Sequence, residues 1–411
     1  MVFWFWFHLV LNLLMLGSDA AWWIVVRRLT TKTVWRVLAT VFLGFQFVAL
    51  LSAMCDLDWT PYVPAAVLVA VMLWHFFGFV FGLSILTLLG TVRGCKWLLR
   101  TAAKIRKSPS DHAKLPTAPV TVAQPRRSVL TRREFFGACA ALTPPLFTVG
   151  STAVALAQLK SLRVRRFTLS VPTLPRQLNG MTIAHVSDIH VGRITTSRVL
   201  RKMVSITNAL RTDLVLMTGD LINYEMSDLA EGIALIKSME SRYGLWMIEG
   251  NHDLIEDGDE FERRIKASGV PFLMDETAVT NVRGFPVQFF GLRWLIGGGR
   301  TQDAIHIAQV RSFVMQRQAD AFPILLAHHP HAFDAAAKAG LPLTLAGHTH
   351  GGQLMLDSQH GVGSAFFRYW SGLYTRGNSQ MIVSNGVGNW FPIRINAPAE
   401  IVHITLRCAD V

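Results

Sequence analysis

Cysteine, tyrosine and acidic charge are all scarce in this chain. Its 411 residues hold 4 cysteines and 5 tyrosines. Cys55, Cys95, Cys139 and Cys408 lie far apart, and no two form a C-x-x-C pair. That excludes a disulfide framework and a thiolate zinc site, so the fold must rest on apolar burial. Charged residues make up only 16% of the chain, and 27 Asp/Glu face 40 Lys/Arg. The basic excess is unevenly placed. Residues 1–166 carry 19 Lys/Arg against 5 Asp/Glu, whereas residues 167–411 carry 21 against 22. A near-neutral C-terminal part gives no support to nucleic-acid binding. The excess lies beside long apolar runs, where it sets orientation and meets anionic lipid headgroups.

Those runs are almost free of charge. They cover Val2 to Ser18 (resuming after Asp19 to Val26), Val37 to Cys55, Tyr62 to Val92, and Phe135 to Leu159. About 20 apolar residues cross the ~30 Å hydrocarbon core of a bilayer as a helix. Three membrane helices are therefore expected within residues 1–107, with a Pro-rich basic linker over 108–131 and a fourth apolar segment over 132–160. Buried helices of a soluble core are the weaker alternative, because uncharged runs of this length are rare there. The fourth segment has two readings. Thr131-Arg132-Arg133-Glu134-Phe135-Phe136, preceded by Arg126-Arg127 and followed by Ala155-Leu156-Ala157, resembles a twin-arginine export signal. An ordinary membrane helix with cytoplasmic arginines fits equally, although Pro144-Pro145 argues against a straight one. Basic residues follow the first run (Arg27, Arg28, Lys32, Arg36) and the third (Arg93, Lys96, Arg100, Lys104, Arg106, Lys107). Only Asp56 and Asp58 separate the second and third. This asymmetry predicts an extracytoplasmic domain over residues 161–411. Lys160, Arg163, Arg165 and Arg166 weigh against it. The runs lack buried acid–base pairs apart from a lone His75, read as packed, which disfavours transport.

From residue 161 onward, strand and helix patterns alternate, which favours a sheet with helices on both faces. Apolar strands are expected at Met181 to Val186, Leu214 to Met217, Leu245 to Ile248, Ile324 to Ala327 and Leu343 to Ala346. Each ends in a polar motif: Asp188-Ile189-His190, Gly219-Asp220, Gly250-Asn251-His252-Asp253, His328-His329-Pro330 and Gly347-His348-Thr349-His350. The carboxyl ends of strands are where ligands bind in this class. Asp, Asn and His supply the oxygen and nitrogen donors of Zn, Mn or Fe. His329, His331 and His360 read as neighbouring or surface residues, and His185 as packed.

The five motifs, in this order, resemble the calcineurin-like metallophosphoesterase superfamily, and the stretches around Asp188, His328 and His348 resemble its bacterial membrane-anchored branch. The resemblance covers roughly residues 165–407. It implies an αββα sandwich with a dinuclear site at the strand ends. Asp188, His190 and His350 would hold one divalent metal. Asn251, His328 and His348 would hold the second, and Asp220 would bridge them, the metals being Mn, Fe or Zn. A hydroxide shared by the metals would attack phosphorus in a phosphomonoester or phosphodiester. His252 would assist with Asp253 orienting it, and Asn251, His252 and Arg394 would contact substrate. Asn223 stands where family members often carry a second Asp. The tether suggests a lipid-linked phosphoester and the outer face of a bacterial inner membrane. A pyrophosphatase of the UDP-diacylglucosamine type and a non-catalytic phosphate-binding or sensor module are the alternatives. The sequence carries no signal for oligomeric state.

Overall fold

In the computed structural model the chain divides into two compact units, Met1–Thr152 and Ala153–Val411. Residues 2–30, 32–54, 64–106, 132–294, 300–357 and 360–409 are described. The linker and Arg126-Arg127 lie outside them, as do Asp56 and Asp58.

The apolar runs form α1 (Val2–Leu29), α2 (Thr33–Met54), α3 (Ala65–Arg106) and α4 (Arg132–Leu159). The basic stretch after the third run is helical to Arg106, because it contains no proline and is rich in Leu, Ala, Lys and Arg. The helix α4 also continues through Pro144 and Pro145. A proline leaves the carbonyl four residues earlier without its donor. For Pro145 that carbonyl is Ala141, and the Trp22 indole N–H supplies the bond at 2.9 Å. Among the described residues one helix, Phe135–Leu159, is long and apolar enough to cross a membrane, while Thr33–Ala49 and Ala66–Phe77 are shorter. The four expected spans thus reduce to one candidate. The expected lack of buried acid–base pairs also fails. Asp19 is buried, accepts from the Trp74 indole at 2.8 Å and lies 3.6 Å from His75 Nε2. Asp19 and His75 are 56 positions apart, so no local pattern could reveal the pair.

The second unit runs β1 (Leu162–Val171), β2 (Thr182–Val186), α5 (Ser197–Ala209), β3 (Leu214–Thr218), α6 (Leu229–Lys237), β4 (Leu245–Ile248), α7 (Gly258–Ser268), β5 (Glu276–Val282), β6 (Phe285–Gly291), α8 (Arg300–Met315), β7 (Phe322–Leu326), α9 (Ala332–Lys338), β8 (Leu343–Ala346), α10 (Gly363–Phe366), β9 (Gly372–Arg376), β10 (Ser379–Val383) and β11 (Ala399–Cys408). It contains two mixed sheets, as the resemblance implies, rather than the single sheet that alternation alone suggests. Their orders are β1-β11-β2-β3-β4 and β5-β6-β7-β8-β10-β9. The side-chain period of two explains the layering. On β2 and β3, Ile183, Leu214 and Leu216 enter a core shared with Phe289, Ile324, Leu326 and Leu345 of the second sheet. The alternate residues Ala184, Val186, Val215 and Met217 pack instead against Leu200, Met203, Ile236, Phe261 and Ile265 of α5, α6 and α7. On the far side, Phe290 and Leu325 meet Val310 and Phe313 of α8 and Ala336 of α9.

Within each sheet the site-bearing strands are parallel: β2, β3 and β4 in one, β7 and β8 in the other. Their carboxyl ends therefore open on one side, and all five motifs begin there. Arg163 and Arg165 belong to β1, and both pair with the buried Glu400 on β11, at 2.6 and 3.5 Å.

Candidate metal centre

Each donor sits within a few residues of a strand end, and five of the seven are on backbone that side chains rarely adopt. Asp188, His190, Asp220, His348 and His350 all have φ between 45° and 72°. Holding non-glycine residues there costs about 1–3 kcal/mol each, and such strain clusters at functional sites. Glycines make the crowding possible. A methyl on Gly250 would overlap the Asp220 carboxylate, and one on Gly347 would overlap Ser187 and Asp188.

Two donor groups converge on one carboxylate. In the first, His190 Nε2 lies 3.0 Å from His350 Nε2, which is 3.4 Å from Asp188 Oδ1. In the second, Asn251 Oδ1 lies 3.1 Å from His328 Nε2 and 2.8 Å from His348 Nδ1. Asp220 Oδ2 stands between them, 3.5 Å from His190 Nε2 and 3.2 Å from His328 Nε2. Donor atoms of Asp188, His190 and His350 fall within 4.8 Å of one another, as do those of Asp188, Asp220 and His328.

The electrostatics suit cations. Burial lowers His190 and His348 to about 3 and pushes His350 well below its usual value, so all three are neutral imidazoles at neutral pH, the form that can bind a cation. Burial also raises Asp188 to about 6. Burial would raise Asp220 too, but His328, His190 and His252 outweigh it and hold this carboxyl well below the usual range. The reciprocal effect overcomes the burial of His328 and lifts it to about 9. His328 Nδ1–H donates to Thr218 O at 2.6 Å, which leaves Nε2 for the site. A set of oxygens and imidazole nitrogens, two of them facing at 3.0 Å, fits a pair of divalent ions.

Several residues differ from their expected roles. Asp253 does not orient His252. Its carboxylate accepts the N–H groups of Gly250, Asp220 and Ile222 at 2.9–3.0 Å, tying the β3 and β4 turns together. Asn223 performs the orienting task through its main chain: His252 Nδ1–H donates to Asn223 O at 2.6 Å. Arg394 is completely buried, and its guanidinium donates to the carbonyls of Asn385, Ala397, Gly386 and Gly388 and to Asn389 Oδ1. It braces the 385–397 loop beneath His350, 3.1 Å from His350 Nδ1, rather than facing a substrate. His329 is buried against His348, with ring centroids 5.0 Å apart, and His360 is an exposed partner of Asp357. His185 is packed, its Nε2 2.8 Å from Thr218 Oγ1.

Two tryptophans were missed. The Trp294 ring lies 5.1 Å from the His348 ring, and its backbone N–H donates to Glu249 Oε1 at 3.1 Å. Trp390 lies 6.0 Å from the His252 ring and is 44% exposed. Trp294 follows the end of β6, as the five motifs follow theirs, and that position was the available signal.

Comparison with known proteins agrees with this geometry. Residues 181–352 match the family described as calcineurin-like phosphoesterase. An uncharacterised metallophosphoesterase of Campylobacter jejuni is 29% identical over 257 residues, covering 61% of this chain and 64% of the relative. A Danio rerio transmembrane protein with metallophosphoesterase domain is 29% identical over 266 residues, covering 59% and 56%. A phosphodiesterase of Escherichia coli is 24% identical over 235 residues, covering 54% and 81%. The chain thus spans about 56–64% of the length of the first two relatives. Motif order, converging donors and the match over residues 181–352 agree: the stretch that resembles calcineurin-like phosphoesterases is the one that brings the donors together.

Proposed function

We propose that this chain is a membrane-anchored, metal-dependent phosphoesterase that hydrolyses phosphomonoester or phosphodiester bonds, with a lipid-linked phosphoester as its substrate class. The observation that carries the reaction is Asp220 Oδ2, common to two donor groups at 3.5 and 3.2 Å. Asp188, His190 and His350 would hold one divalent cation, Asn251, His328 and His348 the other, and Asp220 both. Bound there, Mn, Fe or Zn ions would activate water and neutralise phosphoryl charge as Lewis acids.

The chain's own residues supply the rest. His252 is held at Nδ1 by Asn223 O, so Nε2 is left to carry a proton to or from a leaving oxygen. Asp220 Oδ1 accepts the backbone N–H of His252 at 2.8 Å, which ties the shared carboxylate to the residue that carries the proton. Asn251 and His252 border the place a phosphoryl group would occupy.

The lipid-linked substrate draws support from exposed apolar side chains near the site: Trp390, Tyr224 and Ile255 are 44%, 41% and 57% exposed. The anchor draws support from Phe135–Leu159 and from a relative described as a transmembrane protein. Arg163 and Arg165 are engaged by Glu400, so they count little as orienting charges, which favours the extracytoplasmic face of a bacterial inner membrane. The test compares detergent-extracted protein on soluble and lipid phosphoesters. Higher kcat/KM on the lipid esters is expected; equal or better turnover of soluble esters removes the lipid assignment.

A further inference from the structure

Next to the metal centre, the second unit holds a cavity of about 200 Å³ whose chemistry the reaction does not use. Its wall includes His306 of α8, Asp334 and Lys338 of α9, His331, Arg368 and Arg376. Two of its three cations share one carboxylate. Asp334 pairs with Nη1 of both Arg368 and Arg376 and also accepts from the Tyr369 hydroxyl at 2.8 Å. Lys338 lies one helical turn beyond Asp334 and has no carboxylate at ion-pair distance among the described residues. Lys338, Arg368 and Arg376 outnumber the single carboxylate of Asp334, so positive charge exceeds negative around the cavity. Water occupies about 30 Å³ per molecule, so the space admits one tetrahedral oxyanion with a few waters.

The cavity is joined to the metal centre. The N–H of Arg368 donates to His331 Nε2 at 3.3 Å, and the N–H of His331 donates to His329 Nδ1 at 3.2 Å. The His329 ring lies 4.5 Å from that of His331 and 5.0 Å from that of His348. Two imidazoles therefore separate the cationic wall from a donor of the metal site.

We propose that this cavity is a phosphate subsite, taking a second phosphate group of a substrate whose scissile ester lies at the metal centre. The assignment rests on the phosphoesterase reading for the scissile ester alone. The phosphate chemistry of the cavity stands on its own charges: guanidinium and ammonium groups donate charge-assisted hydrogen bonds to phosphate oxygens.

The test uses the full chain in uncharged detergent and has two arms. In the first, inorganic phosphate is titrated calorimetrically into Asp220→Asn protein, in which the metal site is disabled. Retained binding that weakens about tenfold or more on adding Lys338→Gln or Arg376→Gln is expected. Absence of binding in Asp220→Asn, or binding indifferent to both additions, overturns the subsite. Thermal unfolding of each variant separates loss of the cavity from loss of the fold, and the exposed Lys338 is the safer substitution. In the second arm, Lys338→Gln is assayed in the otherwise native chain. A rise in KM of about tenfold for an alkanediol bisphosphate, with p-nitrophenyl phosphate turnover within about twofold of native, is expected. Phosphate binding in the first arm without bisphosphate selectivity in the second assigns the cavity to free phosphate and overturns the substrate role. A native chain that hydrolyses neither ester refutes the phosphoesterase reading, and the first arm still decides whether the cavity binds phosphate.

Discussion

Neighbouring imidazoles in the cleft have opposite proton affinities because their partners differ. His190 and His348 are neutral through burial, whereas the charge of Asp220 keeps His328 protonated up to about pH 9. A cation taken up at His328 Nε2 must displace that proton. Titrating Mn or Zn into metal-stripped protein at pH 7.5, in buffers of different ionisation enthalpy, should show release of about one proton that His328→Asn abolishes. His185 provides a second test, away from the metals. Burial lowers it to about 3, against 6.5 when unfolded. Below pH 6.5 the unfolded chain therefore takes up a proton that the folded strand refuses, and stability falls by about 1.4 kcal/mol per pH unit down to about pH 3. Denaturation of His185→Gln over this window should show a shallower acid loss than the native chain. The motif residues were legible because Asp, Asn and His are recognisable metal-donor side chains at the ends of apolar strands. Asp253 and Asn223 were not, since their partners are main-chain groups that only the folded turns bring together.

At the scale of the elements, the turns after β3 and β4 act as one piece. Gly250 lies against Asp220, and Asp253 ties both turns through three backbone donors. Gly250→Ala should leave the circular dichroism spectrum near native while bound metal is lost and turnover falls about a hundredfold or more. Retention of metal would show that the turn yields more than its packing suggests. The strand ends were readable from apolar runs closing in Asp, Asn or His, and β4 and β8 match their expected limits. The division into two sheets could not be read from alternation. β2, β3 and β7 are buried on both faces, so nothing in their composition marks which face meets a helix and which meets another sheet. The strand β9 was missed because it is mostly exposed on the edge of its sheet and shows no apolar run.

At the scale of the whole molecule, charge separates two kinds of surface. The first 166 residues carry the basic excess, and the catalytic part is near neutral. That division was visible in composition, whereas the Asp19–His75 contact was hidden because it joins distant turns of α1 and α3. With Phe135–Leu159 as an anchor, the chain should remain in the membrane pellet through carbonate extraction, and a piece beginning at residue 161 should not. Release of the full chain by carbonate would reduce the tether to peripheral attachment. The most direct test of the central claim is metal content measured together with hydrolysis, on the full chain and on Asp220→Asn. About two divalent ions per native chain are expected, with both the ions and the turnover of a phosphoester falling sharply in the variant, turnover by about a thousandfold. A metal-free native chain that hydrolyses phosphoesters, or an Asp220→Asn variant that keeps both ions and full activity, would contradict the shared carboxylate on which the reaction rests.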